Sequence, residues 1–217
     1  MKMTKRIAAI AACAVMTASS MVGMSTSAIE STDTLSVTAS SVTYSTNDLN
    51  SAKYISMTHY YQSGQTWSSK HCGGISSNPT IGKEGCAITS FAMVEKFYGG
   101  SANPGQVSDT LGSNAYPMNW SAAATAYRLS SPTINYYSNN ILDKGKASST
   151  ICGYVRSNKP VIVGLKNSSG NTHFVVARGA APQNANVYIY DPASNKDYTV
   201  LDQYYNDNYY VYEIIVY

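Results

Sequence analysis

Two hydrophobic periods divide the chain. Up to about residue 158 the apolar positions recur at helical spacing; from Pro160 onward they run in short blocks bounded by turn residues. Ile88, Phe91, Ala92 and Phe97 fall on one face of a helix that begins at Cys86, follows the tight Gly82-Lys-Glu-Gly85 turn and stops at Gly99-Gly100. Asn103-Pro104 supplies a cap and first position for a short helix to Leu111. Asn119 caps an Ala-rich helix from Trp120 to Arg128, and Ser148 or Ser149 caps a fourth that runs to Asn158, weakened by Gly153. Pro160-Val-Ile-Val-Gly-Leu165 then reads as a buried strand, followed by the turn Asn167-Ser-Ser-Gly-Asn171. Strands are also expected over residues 172–177, over 186–190 ending at Asp191-Pro192, and over 209–216. Helices first and antiparallel strands second make an α+β layout.

The ends of the chain follow different rules. Lys2, Lys5 and Arg6, the apolar run from Ile7 to Met16 and the small polar residues up to Ala28 form the three parts of a secretory signal peptide, residues 1–28. That apolar run is too short to span a bilayer, and no later stretch is long enough. Residues 29–51 are Ser/Thr-rich and poor in apolar side chains, as in a linker or pro-segment. Residues 52–217 have the length of one domain with one core. The formal charge of +3 also changes meaning: removing the three basic residues of the signal from 15 leaves 12, equal to the 12 acidic ones. A neutral mature chain without a Lys/Arg cluster carries no nucleic-acid footprint. The expected product is a secreted or cell-surface monomer with no nucleic-acid partner and no membrane partner after signal removal.

Cysteine usage points to chemistry. Cys13 leaves with the signal, so Cys72, Cys86 and Cys152 remain, and an odd number in an exported chain suggests a free thiol. Cys86 sits at a helix start, where unpaired N–H groups and the helix dipole favour an anion. A core thiol and a nucleophile both fit that position. If Cys86 is the nucleophile, Cys72–Cys152 is the one intramolecular bridge left. A cysteine nucleophile needs a base, and His173 opens an apolar strand directly after a turn; His59 and His71 lie upstream. Asp191 ends the next strand, so an antiparallel hairpin can bring its carboxylate to the imidazole and fix the tautomer, although Asp-Pro is also a common turn starter. Paired short spacings for zinc are missing, and no metal or cofactor is expected.

Tyr60-Tyr61-Gln62…Trp67, Gly85-Cys86-Ala-Ile-Thr-Ser90, Tyr98-Gly99, Asn119-Trp120, Lys159-Pro160-Val-Ile-Val163, His173-Phe-Val-Val176 and Tyr190-Asp191-Pro192 together resemble secreted bacterial peptidases of the papain-like superfamily. They are most similar to relatives of the double-glycine, bacteriocin-processing peptidases, over residues 54–217. The resemblance implies a papain-like α+β fold and a cysteine peptidase acting on peptide or protein substrates. In it Cys86 is the nucleophile, His173 the base and Asp191 its orienting partner, while Gln62 donates to the oxyanion with the Cys86 N–H; Gln65 is the competitor for that role. After the nucleophile the commoner family pattern is Gly-Pro-Thr-Ser, against Ala87-Ile88-Thr89-Ser90 here. No fused exporter follows, so leader-peptide processing does not carry over. A cell-wall amidase with a Cys-His core and an inactive papain-like binding module are the alternatives.

Overall fold

Alternation along the three central strands gives this protein a sheet with two apolar faces. The structure, a computed structural model, describes residues 49–193 and 198–217; the signal segment and residues 29–48 of the expected linker lie outside them. In chain order the helices are α1 (Ile81–Glu84), α2 (Cys86–Phe97), α3 (Pro104–Leu111), α4 (Trp120–Tyr127), α5 (Ile141–Arg156) and α6 (Leu201–Asn206). The strands are β1 (Lys53–Tyr54), β2 (Thr133–Tyr136), β3 (Val161–Asn167), β4 (Thr172–Ala180), β5 (Val187–Tyr190) and β6 (Tyr209–Val216). They form one antiparallel sheet in the order β1-β4-β3-β6-β2, with β5 also pairing β4. The α+β class is as the sequence predicts.

Successive strand residues point to opposite faces, and both faces are used. Val161, Val163, Leu165, Val175, Ala177, Ile214 and Val216 pack with Ala147, Ile151, Cys152 and Val155 of α5. Ile162, Val176 and Ile215 pack on the other side with Ile88, Phe91 and Ala92 of α2, Val107 of α3 and Ala123 of α4. Phe91 is fully buried and meets Tyr127 and Tyr217 edge-on, at 5.4 and 5.6 Å between centroids. A fully buried aromatic of this kind contributes on the order of 3–5 kcal/mol against truncation to alanine. The helix that begins at Cys86 is therefore held by its whole apolar face.

The helix expected from Ser148 or Ser149 begins earlier, after Asn140, whose Oδ1 accepts the Asp143 N–H at 2.8 Å. Gly145 and Gly153 both lie inside it; burial of Ala147, Ile151 and Val155 at four-residue spacing offsets their weak propensity. At its C-terminal end Arg156 donates to the carbonyls of Ala181 (2.9 Å) and Ser51 (3.3 Å), tying the first described residues to the domain. The sequence pattern does not mark β1, β2, α1 or α6; each is short, and β2 is an edge strand with three exposed residues of four.

The Cys72–Cys152 bridge is not formed. All three described cysteines are free thiols. Cys72 belongs to the cluster around α2 and Cys152 to the cluster around α5, so the sheet separates them. Burial pushes both thiols up to about 11, which leaves them protonated and inert. Non-reducing peptide mapping is expected to find no Cys72–Cys152 linkage, and the melting midpoint to be the same with and without reductant; a reductant-dependent drop would show a bridge.

Candidate active site

The local sequence forces a helix start at Cys86. α1 ends at Glu84, and Gly85 closes its turn with φ −85° and ψ 17°. A Cβ at Gly85 would lie 2.5 Å from both the Ile81 Cγ2 and the Ile81 carbonyl oxygen, so only glycine fits between the two helices. The α2 ladder opens with the Thr89 N–H donating to the Gly85 carbonyl at 2.9 Å. The Cys86 N–H thus lies among the first-turn donors that the helix itself does not use. Cys86 is half-buried, the most accessible of the three described thiols.

β4 and β5 bring the other two residues to it. The turn after β3 is closed by Gly170 N–H to the Asn167 carbonyl (3.0 Å), with Asn167 Oδ1 accepting from Ser169 and Asn171. It delivers His173 as the second residue of β4. β5 runs antiparallel to β4, so its C-terminal end, and Asp191 just beyond it, arrive beside the start of β4. His173 Nε2 lies 2.7 Å from Asp191 Oδ1. Nδ1 is the ring nitrogen left over, and Cys86 lines the same cleft as His173. Burial disfavours the imidazolium, but the Asp191 hydrogen bond and the neighbouring Asp191 and Cys86 side chains outweigh it and push His173 up to about 10. His173 and Asp191 are hydrogen-bonded, and Cys86 and His173 line one cleft.

Asp191 is 3% exposed, and a carboxylate that deep needs several donors. Oδ1 also accepts the Ala193 N–H at 2.8 Å, and Oδ2 accepts the hydroxyl of Tyr204. Burial, then the Asp191 charge, pushes the Tyr204 phenol far up, so it remains a donor. The Asp191 carbonyl meets His59 Nε2 at 2.7 Å. His59 stacks on Tyr190 at 4.2 Å and 7° between planes, and burial lowers its imidazole below the usual value. Sequence reasoning missed both supports. Tyr204 sits on a helix of one and a half turns with no periodic signal, and His59 precedes its partner by 132 residues.

Gln62 is 7% exposed and lines the same cleft of about 670 Å³ as Cys86, His173, Lys83, Glu84 and Tyr204. Its Nε2 donates to the carbonyls of Gly82 and Lys83, both at 3.3 Å, while Oε1 is buried with no hydrogen-bond partner. Gln65 is exposed on the turn, outside the cleft lining. Of the two glutamines, Gln62 is therefore the one at the site, with its amide engaged by α1 carbonyls. Among the described residues no group of three or more His, Cys, Asp or Glu side chains converges as a metal cluster would.

A sequence profile of a family described as Peptidase C39 like matches residues 54–216. No curated protein matches the chain.

Tyr204→Phe removes one of the donors to the buried Asp191 carboxylate at constant ring volume. The expected cost is about 1–3 kcal/mol of stability, read as a lower denaturant midpoint at unchanged slope; an unchanged midpoint would mean that Asp191 does not depend on the phenol.

Proposed function

The chain belongs to the Peptidase C39-like family, and from that premise we propose a secreted cysteine peptidase that hydrolyses peptide bonds through Cys86, with His173 as acid–base and Asp191 as its orienting partner. The observation that carries this reading is His173 in one cleft with Cys86, its Nε2 held 2.7 Å from Asp191 Oδ1. An imidazole pushed up to about 10 is charged at neutral pH. In the proposed mechanism the reacting form is a thiolate beside an imidazolium.

In the proposed reaction the Cys86 thiolate attacks the carbonyl carbon, forming the C–S bond and moving the carbonyl electron pair onto oxygen. Two donors meet that oxyanion: the Cys86 N–H, left over by the helix ladder, and the Gln62 amide, which releases one of its two 3.3 Å carbonyl contacts. His173 protonates the departing amine as the C–N bond breaks, leaving a thioester. The neutral imidazole next takes a proton from water, whose oxygen attacks the thioester and releases the acid and the thiolate. Asp191 does not transfer the proton; it holds the ring and stabilises its charged form.

A variant series on a peptide substrate tests this reading. Cys86→Ala is expected to abolish hydrolysis, and Gln62→Ala to lower kcat by about 10²–10³; turnover by Cys86→Ala would overturn the assignment. Asp191→Asn removes a hydrogen bond and a charge that raise His173. The imidazolium then loses its proton at lower pH, so the alkaline limb of kcat/KM moves down. Cleavage of purified cell wall but not of unfolded protein would favour the amidase reading.

Export rests on the charged start, apolar run and small-residue exit of residues 1–28. N-terminal sequencing of protein from the culture medium is expected to begin near Ile29; recovery of the intact Met1 terminus outside the cell would sink signal removal.

A further inference from the structure

A second pocket, of about 330 Å³, opens beside the nucleophile and shares Glu84, Cys86 and Thr172 with the main cleft. Its walls are mostly apolar and aromatic: Ile88, Ala115, Tyr116, Met118, Trp120 and Phe174. Trp120 and Phe174 meet edge-on at 5.4 Å. One carboxylate, Glu213, lies among them at 8% exposure.

The sheet is deformed to place it there. Glu213 faces Gly164 and Val211 faces Leu165, so Tyr212 is an extra residue bulged out of β6. In a regular strand two consecutive residues point to opposite faces; the bulge lets Tyr212 and Glu213 line the same pocket. Gly164 makes the room: a Cβ there would stand 2.7 Å from the Glu213 Cγ, 2.9 Å from Tyr212 Cε1 and 3.0 Å from Phe174 Cε1. Burial raises the Glu213 carboxyl, and the neighbouring Tyr212 phenol opposes that shift. Among the described residues Glu213 makes no ion pair. A buried carboxylate without a cation is costly, and no lysine or arginine lines the pocket.

We propose that this pocket is a specificity subsite that takes a substrate side chain with an apolar stem and a cationic tip, a lysine or arginine beside the scissile bond, with Glu213 meeting the cation. Aromatic walls suit the methylene stem, and Glu84 at the exposed rim adds a second negative charge along the entry path. The proposal rests on the peptidase reading for the word substrate, but its test does not require catalysis.

Matched peptides carrying lysine or the uncharged norleucine at one position, moved residue by residue across the sequence, are titrated calorimetrically into the Cys86→Ala protein. At one position lysine is expected to bind about tenfold tighter or more, and Glu213→Gln in the same background to erase the gap. Glu84→Gln, at an exposed position, stays readable even if Glu213→Gln fails to fold, and the lysine preference is expected to survive it. No position with a lysine preference, a preference that outlasts Glu213→Gln, or one lost with Glu84→Gln overturns the proposal. The peptidase reading fails separately, if the wild-type protein neither hydrolyses these peptides nor is alkylated at Cys86.

Discussion

Asp191 is the point on which the rest of the site hangs. Its carboxylate is almost wholly out of water, and a buried anion is tolerated only where donors replace its hydration. Those donors come from three parts of the chain: His173 on β4, Tyr204 on α6, and the Ala193 N–H just past β5. The backbone of the same residue is held by His59 from the N-terminal extended stretch. The carboxylate and carbonyl of Asp191 together therefore tie four segments to each other, and the imidazole plane is fixed with them. Such a network loses more than one pairwise contact when any member is removed, because the charge stays buried.

The thiol is placed by a different force. Cys86 makes no comparable set of polar contacts; it is carried by α2, whose residues from Ile88 to Val94 are buried. Apolar packing against Ile162, Val176 and Ile215 sets where that helix lies, and the glycine-only junction at Gly85 sets where it starts. A polar network orients His173, and hydrophobic burial places Cys86. The two systems meet because His173 and Val176 belong to the same strand. Pairing β3 with β4 thus couples the register of the core to the geometry of the cleft: a one-residue slip would turn His173 to the opposite face.

Much of this was legible from residue order. Period and punctuation marked the Cys86 helix, the two capped helices that follow it and the four main strands, because each carries apolar spacing bounded by Gly, Pro or Asn. The meeting of His173 and Asp191 followed from a simple antiparallel hairpin argument. What stayed hidden has no local signal. Tyr204 and His59 act through contacts that only the folded chain creates, and an Asn cap at 140 started α5 eight residues before the serines that propensity favoured. The Cys72–Cys152 bridge, which the thiol count left open, is not formed for the same reason: counting thiols cannot say which face of a sheet each will occupy.

Local rules are broken most visibly around the cleft, as expected where function competes with stability. The β6 bulge at Tyr212 is one case; the Gln62 amide is the more informative. Its two donor contacts, at 3.3 Å, are long for N–H···O bonds, and its Oε1 is buried without a partner. A neutral carbonyl substrate offers little reason to exchange either contact. An oxyanion does, since a charge-assisted bond is shorter and roughly twice as strong as a neutral one. In the proposed reaction the amide would therefore turn toward substrate only as charge develops on the carbonyl oxygen. An interaction that strengthens on the way to the transition state lowers the barrier, whereas one already made with bound substrate would only tighten binding.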